Sequence, residues 1–235
     1  MTHPDIATAA EHFGVGVELG LQDYVKVSTS FNVKRYDEDM TAWAYKKHGF
    51  GDWLPPLTWR GMTPLEFETV GIAPYNETQE DNCNLVVQQG WVNLLGGIAG
   101  TSITTKYSAA NGRIGVGTSA TAAAYSQSYL VGDTGSAATT SYYQLVSGAP
   151  TISTAASPPT LVFAASFAGG VANFAWAEFG TDNATTSGVY LNGLAGSYQF
   201  LNRGVSSQGT KASGQTWTAT ETISFGYPSG SGTVT

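Results

Sequence analysis

The stretch QTWTATETISFG, residues 215–226, decides the fold. In it Thr216, Thr218, Thr220 and Thr222 alternate with Trp217, Ala219, Glu221 and Ile223. A strict period of two belongs to a strand, where successive side chains point to opposite faces; a helix would scatter the same residues around its circumference. One face is hydroxylic and the other apolar, broken by a single carboxylate. Threonine, isoleucine and tryptophan also suit a pleated, half-buried surface.

Working outward, the same grammar recurs at SYYQLVS (141–147), TLVFAASF (160–167), NFAWAEFG (173–180), GVYLN (188–192) and YQFLNRG (198–204). Gly, Pro, Asp-Asn and Ser clusters separate these runs. ITTKYS (103–108) and RIGVG (113–117) flank AANG, whose Asn111-Gly112 step suits a hairpin turn that needs positive φ. SATAAAYSQSYL (119–130) reads as holding a short helix opened by Ser119 or Thr121. Six or more short strands with turns between them predict a mainly β chain with a β-sandwich or jelly-roll-like domain. Within it Gly115 and Gly117 read as fold determinants that permit close strand approach, and Trp176 and Trp217 as core aromatics. Lys211, in the turn GTKASG, is expected to be exposed.

Upstream of the strands one helix is expected near 79–96. Thr78 to Asp81, TQED, fits a capping box with an acid in the positive first turn. Leu85, Val86, Val92 and Leu95 then gather on one face with Trp91 beside it, and Gly96 and Gly97 supply the stop.

Charge divides the chain. Residues 1–82 hold 6 Lys/Arg and 13 Asp/Glu, whereas residues 83–235 hold 4 and 4, so the whole net charge of −7 lies in the first third. The expected division is therefore a charged N-terminal arm or small docking region, 1–78, made of extended chain with short strands, and a β-rich domain, 79–235, opened by the helix. VELGLQDYVKVSTSFNVKRYDED contains a strand with one solvated face, Val25, Val27 and Thr29 alternating with Tyr24, Lys26 and Ser28. The following segment is broken by Gly49, Gly51, Pro55, Pro56, Gly61 and Pro64, yet carries Trp43, Trp53 and Trp59. Large aromatics with little regular structure around them pack on a partner or cover the base of the chain's own domain. With the adjacent cations Lys46, Lys47 and Arg60 they are the candidate partner-docking residues. Deleting residues 1–75 is expected to leave a folded domain.

Composition narrows the function. Charged residues are 11% of the chain, against about 25% in ordinary soluble proteins, and Gly, Ala, Ser and Thr take their place. An acidic chain lacks the basic footprint that phosphate backbones require, so nucleic acid is not an expected partner. No run is apolar for the roughly 18 residues of a membrane-spanning helix, and no membrane partner is expected. MTHPDIATAAEHFG has no basic stretch leading into an apolar one, so synthesis in a cytoplasm is expected. Cys83, the single cysteine, reads as a small buried hydrophobe.

The search for chemistry yields little, and no catalytic residue, metal site or cofactor is expected. His3, His12 and His48 all precede the β-rich part, which excludes a Ser-His-Asp site built within that part. Glu178 with Asp182 or Glu221 could form a carboxylate pair of the kind that hydrolyses glycosides, if pocket geometry supports it. Gly115 and Gly117 lack the completing residues of a phosphate loop. Asp37, Glu38 and Asp39 lack the glycine and distal glutamate of a calcium loop, and read as a solvated or partner-facing cluster.

Four stretches carry a resemblance: NLVVQQGWVNLL (84–95), NGRIGVGTSATAAAYSQSYL (111–130), ANFAWAEFG (172–180) and LNRGVSSQGTKASGQTWT (201–218). In their order and spacing they resemble a family of tailed-bacteriophage particle proteins, head-associated or tail-associated. GVYLNGLAGSYQFLNRGV departs from the family pattern by an apparent insertion, and residues 131–160 match it little. The resemblance implies a non-enzymatic structural component located in the virion: a capsid decoration or minor head protein docking on the major capsid protein or neighbouring virion proteins. With little charge to repel copies, a small cyclic homo-oligomer such as a trimer is expected. The alternative is a tail or tail-fibre protein contacting the host surface, where exposed aromatics in the stretches Tyr125 to Tyr143 and Tyr190 to Phe200 could stack on sugars. A carbohydrate-active depolymerase is the remote third.

Overall fold

The computed structural model describes residues 26–37, 68–69, 71–81, 84–100, 107–133, 139–155, 158–184 and 200–226. Among the described residues, ten strands and one helix follow in order: β1 (Lys26–Tyr36), β2 (Asn76–Asp81), β3 (Asn84–Val86), α1 (Gln88–Ala99), β4 (Gly112–Gly117), β5 (Ser141–Leu145), β6 (Thr151–Ser153), β7 (Thr160–Phe167), β8 (Ala175–Asn183), β9 (Asn202–Thr210) and β10 (Thr216–Gly226). They form two antiparallel five-stranded sheets, in the orders β2-β1-β10-β7-β6 and β3-β9-β8-β4-β5. The mainly β, sandwich-like architecture read from the sequence is what the chain adopts.

The alternation in β10 becomes the inner face of the first sheet. Trp217, Ala219, Glu221 and Ile223 are all buried, and the register places them beside Phe167, Ala165, Phe163 and Leu161 of β7. On the other side the same four meet Arg35, Val33, Phe31 and Thr29 of β1. Phe31 stacks on Phe179 of the facing sheet with centroids 3.7 Å apart and planes within 5°. Trp176 meets Trp217 edge-on at 4.8 Å and Phe167 at 4.7 Å, so both expected core tryptophans are in the core between the sheets. Glu221, the carboxylate that interrupts the apolar face, accepts hydrogen bonds from Thr181 Oγ1 and Asn202 Nδ2 across the interior. A buried carboxylate is tolerable only with such donors.

Several sequence expectations are corrected. The proposed division at residue 78 falls inside β2, and β1, assigned to the arm, is an interior strand of the first sheet. Phe31 and Val33 belong to the core, so deleting residues 1–75 would remove a core strand, and the expectation of a folded remainder does not hold. TQED is not a capping box but part of β2, with Thr78 opposite Val33. The helix starts later, at Gln88, after Val87, and ends at Gly100, whose φ of 65° supplies the left-handed cap. Its first amide, on Gln88, donates to the Tyr125 carbonyl, so a loop rather than a side chain caps it. Residues 119–130 hold no helix.

Of the four apolar residues expected on one face of the helix, Leu85 and Val86 belong instead to β3, with Val86 buried, and Val92 and Leu95 turn outward together with Ile98. Val92, Leu95 and Ile98 are 62%, 59% and 85% exposed, and Leu85 just before the helix is 39% exposed. The helix packs instead through Gly90 and Asn93. A Cβ at Gly90 would collide with the Leu201 backbone, so only glycine lets the helix lie this close to the chain entering β9.

Candidate functional site

The second sheet has an outer face that is not left to solvent. Cross-strand register puts Gly117 opposite Glu178, Gly115 opposite Gly180 and Tyr143, and Arg113 opposite Asp182, with Arg203 of β9 opposite Gly180. The glycines leave hollows that neighbouring side chains fill. A Cβ at Gly117 would lie 2.5 Å from Glu178 Oε1, and one at Gly115 would lie 2.5 Å from the Tyr143 ring. Their role is thus to admit a side chain from the next strand, a sharper version of the expected close approach. Phe200 covers Gly180 in the same way. Val87, Leu130, Tyr143 and Phe200 form a small second core above this face.

Two ion pairs lie under that cover. Arg203 Nε and Nη2 both meet Glu178 Oε2 at 2.7 Å, with both side chains fully withdrawn from solvent. Arg113 grips Asp182 bidentately, Nε to Oδ1 at 2.8 Å and Nη2 to Oδ2 at 2.6 Å, and its guanidinium lies 4.6 Å from the Tyr143 ring centroid. Burial pushes the Asp182 carboxyl above its usual range, with Arg113 pulling the other way. The Tyr143 hydroxyl is pushed well up, first by burial and then by the Asp182 and Asp133 charges.

The first pair also organises the irregular segment 118–133. Glu178 accepts from the backbone amides of Ser119 (3.3 Å), Val131 (2.9 Å) and Gly132 (2.5 Å). Arg203 donates to the Thr121 carbonyl at 2.9 Å and to Gln127 Oε1 at 3.1 Å. Leu130 N donates to the Tyr143 hydroxyl at 3.1 Å. The segment presents Tyr125 and Tyr129, 51% and 40% exposed, and opens a cavity of about 340 Å³ lined by Ser126, Gln127, Ser128, Tyr129, Val131 and Asp133. No family model, no curated protein and no solved structure matches this chain. What the chain does has to be argued from its own geometry.

The carboxylates singled out from sequence are separated. Glu178 and Asp182 share the outer face of the second sheet, each held by its own arginine, while Glu221 belongs to the interior between the sheets. None of the three is open to a substrate, as each is at most 1% exposed. Trp43, Lys46, Lys47, Trp53, Trp59 and Arg60 lie outside the described residues. So do Cys83, Glu38 and Asp39, while Asp37, just after β1, is exposed.

Lys211 is buried rather than exposed. Its ammonium donates to the carbonyls of Ala168 (2.8 Å) and Val171 (3.0 Å) and to Asn173 Oδ1 (2.9 Å), matching three donors with three acceptors. Burial lowers its pKa to about 8. The sequence reading gave no role to Arg113, Arg203 and Asp133, and it grouped Tyr143 with exposed, host-facing tyrosines, whereas Tyr143 is buried. The available signal was the equal number of acids and bases after residue 82, which in a nearly uncharged β chain points to internal pairing. Every described charge after that point, on Arg113, Asp133, Glu178, Asp182, Arg203, Lys211 and Glu221, is buried.

Proposed function

We propose that the chain is a non-enzymatic structural component of a tailed-phage particle, a decoration or minor head protein docking on the major capsid protein. The observation that carries a contact role is the location of charge. From residue 84 to 226 every described charged side chain is inside, so the described surface there is uncharged, largely Ser, Thr, Gly, Ala and Tyr together with the apolar stripe of α1. Soluble surfaces ordinarily carry about 25–35% charged residues, and an uncharged surface with an apolar stripe suits repeated protein contact. The phage assignment itself rests on the resemblance of the four stretches.

The occupant of the α1 stripe is a second copy of the chain. QQGWVNLLGGIA has no charged residue, so it offers no charge pattern with which to select a different partner. Copies meet there without like-charge repulsion, in a small cyclic oligomer. Trp43, Lys46, Lys47, Trp53, Trp59 and Arg60 then serve the capsid contact. Against catalysis stands the engagement of Glu178, Asp182 and Glu221 in buried hydrogen bonds.

The tail or fibre reading draws on the exposed Tyr125 and Tyr129, which suit contact with a host surface. Immunogold labelling of intact particles separates the readings. Label over the head supports decoration, label confined to the tail tip supports the second reading, and unlabelled particles contradict both.

A further inference from the structure

We propose that Thr78 and Gln208 are the two ends of a self-forming ester cross-link between the sheets: the Thr78 hydroxyl displaces ammonia from the Gln208 carboxamide, and Arg35 activates both groups. This goes beyond the particle assignment and does not depend on it.

The first support is the contact itself. Thr78 lies on β2, at the edge of the first sheet, and Gln208 lies on β9 of the second, 130 positions further along the chain. The Thr78 hydroxyl donates to Gln208 Oε1, so the nucleophile already touches the carbonyl it would attack. Gln208 is 4% exposed, which limits competition from water. One guanidinium nitrogen, Arg35 Nη2, reaches Thr78 Oγ1 at 3.2 Å and Gln208 Oε1 at 3.4 Å. Arg35 is fixed in turn by the Gln208 carbonyl (2.5 Å), by Asn76 Oδ1 (2.6 Å) and by the Trp217 ring, 4.5 Å from its centroid. A cation so placed favours negative charge on the oxygen that gives up a proton and on the oxygen that becomes an oxyanion. Gln208 Nε2 donates to Ser206 Oγ at 3.1 Å, which orients the carboxamide and sets a hydroxyl beside the nitrogen that departs.

The second support is the backbone that aims Gln208. In the β8–β9 ladder Trp176 faces Gly209 and Glu178 faces Val205, so residues 206–208 stand against residue 177 alone. Gly209 closes this bulge with a φ of 85°, a conformation that favours glycine. Bulges re-aim side chains, and this one turns Gln208 out of its own sheet toward Thr78 on the edge of the other.

The step balances without a co-reactant. A turn about the side-chain bonds carries Thr78 Oγ1 from Oε1 onto Cδ of Gln208. The Oγ1–Cδ bond forms, the Cδ–Nε2 bond breaks, and the hydroxyl proton leaves on the nitrogen as ammonia, with Ser206 Oγ as the relay. Groups held in contact react as if at effective concentrations on the order of 10⁵–10⁸ M. The reaction runs once per chain, so a slow chemical step suffices. With one cysteine the chain cannot close a disulfide on itself, and an ester between β2 and β9 supplies a covalent tie of the same reach.

The test is intact-mass spectrometry and peptide mapping of the full chain after incubation at neutral pH. The mass is expected to fall below that of the sequence by one ammonia, and the digest to contain a branched peptide joining Thr78 to Gln208. Alkaline hydroxylamine, which opens esters, should split the isolated branched peptide into its two halves. Thr78→Val, β-branched and of equal size, should keep the ammonia, whereas Thr78→Ser, which retains a hydroxyl, should still lose it. Arg35→Gln should slow formation by about a hundredfold. The wild-type mass and branched peptide decide the matter even if a variant fails to fold. The proposal is overturned if the wild type keeps its full sequence mass, if the loss persists in Thr78→Val, if the branched peptide resists hydroxylamine, or if Arg35→Gln forms it as fast as the wild type.

Discussion

Glu178 stands directly across the β4–β8 ladder from Gly117, and its carboxylate fills the space that a side chain at 117 would take. The pairing explains why RIGVG carries its glycines on one face of β4. Gly117→Ala should cost about 1–3 kcal/mol by overpacking against a buried charge. Gly148→Ala, where a Cβ would meet open space, should stay within about 0.5 kcal/mol. Urea unfolding of the two variants checks the contrast.

Removing one member of the Glu178–Arg203 pair leaves its partner buried and uncompensated. Glu178→Gln and Arg203→Met should each destabilise by about 3–5 kcal/mol, and the double variant by less than the sum. Because Glu178 also holds the amides of Val131 and Gly132, hydrogen exchange at these two positions should accelerate in Glu178→Gln beyond the global loss of stability.

Lys211 gives the chain a pH dependence with a defined sign. Its folded pKa, about 8, lies below the ordinary 10.5, so between these values the unfolded chain binds more protons and stability rises with pH. At about 1.4 kcal/mol per pKa unit the full window spans about 3 kcal/mol. Tyr36, pushed up to about 12 mainly by burial, acts oppositely above pH 10, where the unfolded chain loses the phenolic proton first. Comparing wild type with Lys211→Met isolates the lysine. The stability difference should shift in favour of the wild type between about pH 8 and about pH 10.

The strands were legible in the sequence wherever one face is apolar: TLVFAASF is β7 residue for residue, and the alternation in β10 specified its own inner face, carboxylate included. Lys211 was misread because a lysine in a glycine-flanked turn normally points to water, and nothing local announces three carbonyl-type acceptors supplied by residues 168–173. The helix start was misread because TQED satisfies a local capping pattern while its long-range pairing with β1 prevails. Of the apolar face expected on the helix, only Val92 and Leu95 lie on it, because Leu85 and Val86 pair with β9 as β3 before the helix begins. The stretch 125–143 was singled out for its tyrosines, but the shape of its first part was not legible because it depends on Glu178 and Arg203, which are 25 positions apart.

The stripe on α1 yields its own prediction. Leu95→Glu and Ile98→Glu should convert the oligomer to monomer while changing the stability of the fold by no more than about 0.5 kcal/mol, because both side chains are exposed in the single chain. Sedimentation equilibrium of wild type and variants measures this. A wild type that is monomeric at all concentrations removes the second copy as the occupant.

The most direct measurement of the central claim is an averaged electron cryomicroscopy image of the particle assembled in the presence of this chain. The account predicts density for the two-sheet sandwich on the head surface, copies touching through α1, and loss of that density when Trp43, Trp53 and Trp59 are all replaced by serine in the full chain. Particles that band and image without any such density, while the chain stays in the soluble fraction, would contradict it.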